Sequence, residues 1–396
     1  MKLEDVCELI VDCPHSTAND EGNGFPLIRT PNIGKGRLIL EGVHRVSQEV
    51  YDKRNLRAVP QDDDLIFARE APAGNVAVIK NGEKVCLGQR TVLLRPNKAL
   101  VNPDFLAYYL LSPQQQYGLL GTANGATVAH VNIPTVRNLK IDVPDLDKQV
   151  KIASIISSYD NLIENNQKQI KLLEEAAQRL YKEWFVDLRF PGYETTPVVD
   201  GVPEGWELCH LEDVIKFNPK VPLSKERLKQ SVPMSALSTS SMTLDTEEFA
   251  ATFSNSGSKF QNGDTLLARI TPCLENGKTA FVAGVESDEG AVGSTEFIVM
   301  RSKGINPYMV YLLARNDSFR QSAINSMTGS DGRQRAQADK LKALPYLKPA
   351  DQIMMLFARY VEPMFIQIQK KNEQNVRLRQ ARDRLLPKLM SGEVEV

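Results

Sequence analysis

Several short stretches of this chain carry residue types that could do chemistry. Asn102-Pro103-Asp104-Phe105 and Asn306-Pro307-Tyr308-Met309 place an amide side chain beside a proline. An amino-methyltransferase needs Asn or Asp followed by two prolines and an aromatic residue, and both stretches lack the second proline. Asn followed by Pro also starts helices, because Asn caps free N–H groups and Pro tolerates the first helical position. The two stretches occupy equivalent points of the chain, so helix start is the better reading. Gly277-Lys278-Thr279 matches the end of a phosphate-cradling loop, but the first glycine would fall on Pro272, so we read a turn. In Pro144-Asp145-Leu146-Asp147-Lys148 the lone acid and the acid-x-Lys pair of a nuclease core would overlap, whereas they normally sit on separate strands. Nothing here supports Mg²⁺ catalysis. Four histidines are too scattered for a metal site. No catalytic residue, metal or cofactor is expected.

The elements that carry these stretches are written twice. Gln61-Asp62-Asp63-Asp64-Leu65-Ile66-Phe67-Ala68-Arg69 returns as Gln261-Asn262-Gly263-Asp264-Thr265-Leu266-Leu267-Ala268-Arg269, and Leu3-Glu4-Asp5-Val6 as Leu211-Glu212-Asp213-Val214. Asn102-Pro103 returns as Asn306-Pro307, and Asp147-Lys148-Gln149 is echoed by Asp351-Gln352. A solenoid repeats every 20–50 residues or so; offsets of 200 to 208 mean a duplicated domain. Each copy reads as mixed α/β followed by one long helix. Strands are predicted at 65–68, 76–79 and 91–95, then at 265–268, 280–282 and 297–300, with short helices at 105–111 and 308–313.

From Gln149 to Phe185 there is no Pro or Gly. Ile152, Ile156, Tyr159, Ile163, Asn166, Ile170, Leu173, Ala177, Leu180 and Trp184 alternate spacings of four and three, a heptad seam with Asn166 fixing its register. Val361, Phe365, Ile368, Asn372, Asn375, Arg379, Arg382, Leu386 and Leu389 repeat that spacing with polar residues at the centre, and Pro363 should bend the first part. Residues 366–388 hold seven Lys or Arg against two acids, a basic face that is solvated by default and could meet phosphate. Packed antiparallel, the helices would make a rod with a globular domain at each end. Thirty-seven residues at about 1.5 Å each span roughly 55 Å, or about sixteen base pairs. The expected divisions are 1–148, a first domain; 149–187, a helix; 188–203, a Pro/Gly-rich linker; 204–350, a second domain; and 351–396, a helix and tail.

Hydrophobic residues make up 42% of the sequence, enough for ordinary cores, and no apolar run reaches the ~18 residues of a membrane span. No basic region followed by an apolar stretch opens the chain, and five unpatterned cysteines read as reduced, which points to the cytoplasm. A net charge of −1 is unlike a free-standing nucleic-acid binder. Either charge is segregated on the surface or a partner supplies phosphate contacts.

With these features the chain resembles the specificity subunits of type I restriction-modification systems over essentially its whole length. The marks are the duplication; Pro203-Glu204-Gly205-Trp206-Glu207 opening the second copy; Gly263 through Arg269; Leu341-Lys342-Ala343-Leu344-Pro345; Tyr181-Lys182-Glu183-Trp184-Phe185-Val186-Asp187; and Arg384-Leu385-Leu386-Pro387-Lys388-Leu389-Met390-Ser391-Gly392-Glu393. The first copy lacks the Pro-x-Gly-Trp lead-in, so its entry strand should be short or contributed differently. The resemblance implies an α/β (α+β type) fold. By that resemblance, two target-recognition domains related by a pseudo-twofold would be separated by a pair of long antiparallel helices forming a coiled coil. It implies that each domain reads half of a bipartite site in double-stranded DNA. The helices would set the gap and dock two methyltransferase subunits. Catalysis would lie in those partners, with restriction subunits joining through the complex.

Reading bases needs polar side chains on loops that face a groove. In the first copy these are Arg69, Glu70, Gln89, Arg90, Thr127, His130 and Asn132. In the second they are Arg269, Thr271, Ser294, Thr295, Glu296, Ser330, Arg333, Gln334 and Arg335. Arg69 and Arg269 occupy equivalent positions, which also suits a shared structural or phosphate role, and Glu70 could equally be a solvated loop acid. The donor-rich 329–335 loop has the stronger claim to DNA contact. The competing reading is a non-enzymatic scaffold whose duplicated domains bind protein partners.

Overall fold

The structure, a computed structural model, describes residues 1–121, 130–330 and 332–396. It falls into two compact units: residues 1–163 with 377–396, and residues 164–376. The division lies inside both long helices.

The first unit is built on a five-stranded sheet in the order Cys7–Asp12, Thr91–Pro96, Leu65–Ala68, Val76–Val78, Gly36–Arg37. The pairings are antiparallel except the last, which is parallel. Every residue of Leu65–Ala68 is buried. Side chains alternate across a strand, so Leu65 and Phe67 join a core with Phe105 and Ile152, while Ile66 and Ala68 join another with Ile28 and Val85. Burial on both faces explains why this strand reads as an unbroken apolar run.

The second unit repeats the scheme. Ile215–Phe217, Phe297–Ser302, Thr265–Ala268 and Thr279–Phe281 form an antiparallel sheet, and Leu266 and Leu267 face different cores. A second sheet orders Ala250–Thr252, Lys229–Val232, Ala291–Gly293 and Ser258–Phe260. The ribbon Glu207–His210 with Pro345–Lys348 is reduced in the first unit to one bridge, Lys2 with Lys140, as the missing lead-in implied. The linker is partly built. Val198–Val199 pairs with Val202–Pro203, and the Phe190 ring packs tilted against Trp206 with centroids 4.9 Å apart. Asn102 and Asn306 cap helices Pro103–Leu110 and Pro307–Arg315, so both Asn-Pro stretches are helix starts. Lys278 is tied into a turn by its N–H to the Cys273 carbonyl, directly before strand Thr279–Phe281.

The first long helix is α-helical over Leu146–Tyr181 and π-helical over Lys182–Val186. The second, Asp351–Ser391, runs through Pro363 and Pro387 without a break. In the first unit Ile152 and Ile156 share a core with Leu385, Leu386 and Leu389; in the second, Ala177, Tyr181 and Trp184 share one with Phe357, Val361, Phe365 and Ile368. Residue numbers rise on one helix as they fall on the other, so the pairing is antiparallel within each unit. Between these apolar stretches the seam is polar. The Asn166 amide donates to Asn375 Oδ1 at 2.9 Å and to Gln374 Oε1 at 3.1 Å. A buried polar pair of this kind fixes register rather than adding stability.

One seam assignment is corrected. Tyr159 is only half-buried, and the buried position is Asp160. Its carboxylate accepts from Arg382 Nη1 at 2.6 Å and from the Tyr108 hydroxyl. Apolar spacing pointed to Tyr159 because a carboxylate on a seam is legible only with its distant cation. Removing one member of a buried pair strands the other. Asp160→Ala should therefore cost about 3–5 kcal/mol in urea unfolding, and Asp160→Leu with Arg382→Leu should recover most of it. A loss in Asp160→Ala below about 1 kcal/mol would place this pair among surface ion pairs.

Candidate nucleic-acid interface

The strand that carries the repeated sequence ends in an arginine in each unit. In the first, the Arg69 N–H donates to the Arg90 carbonyl at 2.8 Å, and the Arg69 carbonyl accepts from the Val131 N–H at 3.0 Å. In the second, the Arg269 N–H donates to the Glu296 carbonyl at 2.9 Å, and its carbonyl accepts from the Ala336 N–H at 2.8 Å. Arg90 and Glu296 are therefore structural counterparts, as are His130 and Arg335. In both copies a cis peptide follows within three residues, Ala71–Pro72 and Thr271–Pro272.

On this shared backbone the first unit gathers Arg69, Glu70, Arg90 and His130. Arg69 Nη1 donates to both oxygens of Asp12 at 3.1 and 3.3 Å, its Nε donates to the Val131 carbonyl at 2.9 Å, and its Nη2 lies 3.1 Å from His130 Nε2. His130 Nδ1 lies 2.5 Å from Glu70 Oε1, and Glu70 also pairs with Arg90. A guanidinium only donates, so Nε2 must accept and Nδ1–H must donate to Glu70. His130 is therefore neutral. Burial and the Arg69 and Arg90 guanidiniums hold its pKa below the ordinary histidine value. The Gln89 amide donates to the His15 carbonyl at 3.2 Å, and the His15 ring lies 3.2 Å from Asp12. Asn132 is occupied as an N-cap, its Oδ1 accepting from Thr135 N at 2.8 Å and Oγ1 at 2.7 Å. Thr127 lies outside the described residues.

The second unit gathers a different set, Arg269, Glu296 and Arg335. Arg335 donates to Glu296 from Nε at 3.0 and 2.9 Å and from Nη2 at 2.8 Å. Those hydrogen bonds hold the Glu296 carboxyl below its usual range and raise the Arg335 guanidinium. This clamp is full at neutral pH and is lost as pH falls through the lowered Glu296 value. Thr271 N–H donates to the Gln334 carbonyl at 3.1 Å, and Ser294 Oγ accepts from Glu296 N–H at 3.2 Å, so these two shape the loops. Thr295, Ser330 and Arg333 are exposed and Gln334 is half-exposed.

Sequence reasoning missed Asp12 and His15. They lie 57 and 54 residues before Arg69, at and just past the end of strand Cys7–Asp12, whose place in the sheet only the topology reveals. Among the described residues no helix is long and apolar enough to cross a membrane, and no cluster of His, Cys, Asp or Glu could hold a metal.

Residues 1–175 match the type I restriction modification DNA specificity domain. The MjaIX type I restriction enzyme specificity subunit of Methanocaldococcus jannaschii is 26% identical over 100% of this chain and 93% of its own length. The chain is thus similar to type I specificity subunits along its whole length, and its first 175 residues match their DNA specificity domain. The EcoAI specificity subunit of Escherichia coli is 34% identical over 34% of this chain and 23% of that protein. The crystal structure of an M. genitalium type I restriction-modification S subunit shares the fold, with a TM-score of 0.56 at 14% identity, covering 98% of this chain and 95% of that one. Specificity subunits are the non-catalytic, DNA-recognising component of type I systems.

The hydrogen-bond directions around His130 make a prediction. An NMR titration of its ring should give a midpoint below the free-imidazole value of about 6.5. Arg69→Gln should move that midpoint upward. A wild-type midpoint above the free value would contradict the neutral tautomer.

Proposed function

We propose that each unit reads one half of a bipartite duplex site through its polar rim. The paired helices hold the two halves at a fixed gap and dock two methyltransferase subunits, and restriction subunits join through that complex in the cytoplasm. One observation carries this reading: a common backbone frame presents different polar groups in its two copies. Glu70, Arg90 and His130 in one become Ile270, Glu296 and Arg335 in the other. Identical frames suit a pseudo-symmetric duplex; different rims suit two different base sequences. Arg333, with Gln334 beside it, lies on an accessible loop, and Arg and Gln can bond guanine and adenine edges with two hydrogen bonds each. Arg69 is held on three sides, so it positions its neighbours or meets phosphate, as its shared place in both copies suggests.

Modified-base sequencing of genomic DNA, with deletion of this gene as control, should recover two short motifs separated by a constant gap. Removing one heptad from both long helices should shorten that gap by about three base pairs, since seven residues rise about 10 Å. One contiguous motif, or an unchanged gap in the shortened protein, would contradict the reading.

A further inference from the structure

We propose that the second unit holds a pocket for one backbone phosphate of the bound duplex, beside its rim and separate from the groups that read bases. The proposal rests on the DNA-reading function above.

The pocket is a cavity of about 590 Å³ between Asn218–Pro222, Gly257–Lys259 and the start of strand Phe297–Ser302. Lys220, Lys259 and Arg269 line it over the apolar side chains of Phe297 and Val299, and no carboxylate is among its lining residues. Lys220 is exposed and Lys259 half-exposed. Among the described residues neither ammonium has an ion-pair partner.

The first copy shows what the arginine of the second lacks. Strand Cys7–Asp12 stays paired as far as Val92 and ends on the carboxylate that neutralises Arg69. Its counterpart, Ile215–Phe217, ends opposite Met300. Asn218 then takes a positive φ of 47° and caps the neighbouring strand, its Oδ1 accepting from the Val299 N–H at 2.9 Å. A left-handed residue of this kind turns the chain away, and the segment that follows brings Lys220 and no acid. Arg269 Nε is buried and makes no hydrogen bond among the described residues. The nearest carboxylate, Glu296 at 4.0 Å, is already held by Arg335 through both of its oxygens.

Three cations, one of them an arginine whose nearest carboxylate is already held by Arg335, therefore line a cavity with no acid among its lining residues. A phosphodiester supplies a single negative charge and oxygen acceptors for a guanidinium and two ammonium groups. Thr295 lines this cavity and belongs to the rim loop, so the phosphate would belong to the duplex segment at the rim.

The test measures duplex affinity against salt for the full chain assembled with its modification subunits, in the wild type and in Lys220→Ala with Lys259→Ala. Arg269 is left in place. The variant should bind roughly tenfold more weakly, the loss of one charge-assisted contact. The loss should be equal for the native second half-site and for one with altered bases. The slope of log affinity against log salt should become shallower by about one. A neutral methylphosphonate at one backbone position should weaken the wild type by the same factor and add nothing in the variant. Unchanged affinity and slope would overturn the proposal. So would a loss confined to the native half-site at constant slope, which would make this a base-reading pocket. If inorganic phosphate at constant ionic strength stabilises the wild type but not the variant against heat while duplex affinity is equal, the site takes only free anions, and the proposal is again overturned. A wild type with no salt-dependent duplex binding would instead remove the DNA-reading function, and the pocket with it.

Discussion

In each unit a buried aspartate ties together the pieces on which the rim stands. Asp64 receives Arg95 through Nε at 2.9 Å and Nη2 at 2.8 Å, and Asp264 receives Arg301 at 2.6 and 2.7 Å. The same carboxylates accept the Gln61 and Gln261 N–H groups at 2.9 and 2.8 Å. One side chain thus fixes the turn that starts the central strand and the partner strand beside it. The parallel two-bond geometry leaves little freedom of orientation. Five residues on, just past the strand, the register set here delivers Arg69 opposite Arg90 and Arg269 opposite Glu296. The buried aspartate explains why Gln-x-x-Asp is among the clearest echoes in the sequence: a backbone N–H and a guanidinium both depend on that acid.

The chain reads most easily where physics is local and periodic. The two long helices, the central strands and the Asn-Pro helix starts follow from spacing or capping, and the structure places them within a few residues of expectation. Strands of two residues, such as Gly36–Arg37 and Arg45–Val46, have no period to detect. Asp160 was hidden because its partners, Tyr108 and Arg382, lie 52 and 222 residues away. The same limit applies at the rim. Arg69 and Glu296 stand out as polar residues at strand ends, but Asp12 reaches Arg69 only through sheet order, and Asn132 becomes a helix cap rather than a free donor.

Divergence between the copies follows the same logic. What must bury apolar surface or satisfy a buried charge is kept; what meets solvent at the strand ends has changed. A rim built on Glu70, Arg90 and His130 offers a neutral imidazole between a carboxylate and a guanidinium, whereas one built on Glu296 and Arg335 offers a closed ion pair with an accessible loop beside it. The two surfaces have different donor and acceptor patterns on one chassis. Base recognition needs such a difference if the two half-sites differ.

The most direct measurement is to place the second copy's rim residues on the first copy's frame, as Glu70→Ile, Arg90→Glu and His130→Arg in one chain, and to sequence the modified bases it directs. One frame carrying two interchangeable readers requires the first half-site to change while the second half-site and the gap stay as they were. A recovered site with both halves unchanged would contradict the account.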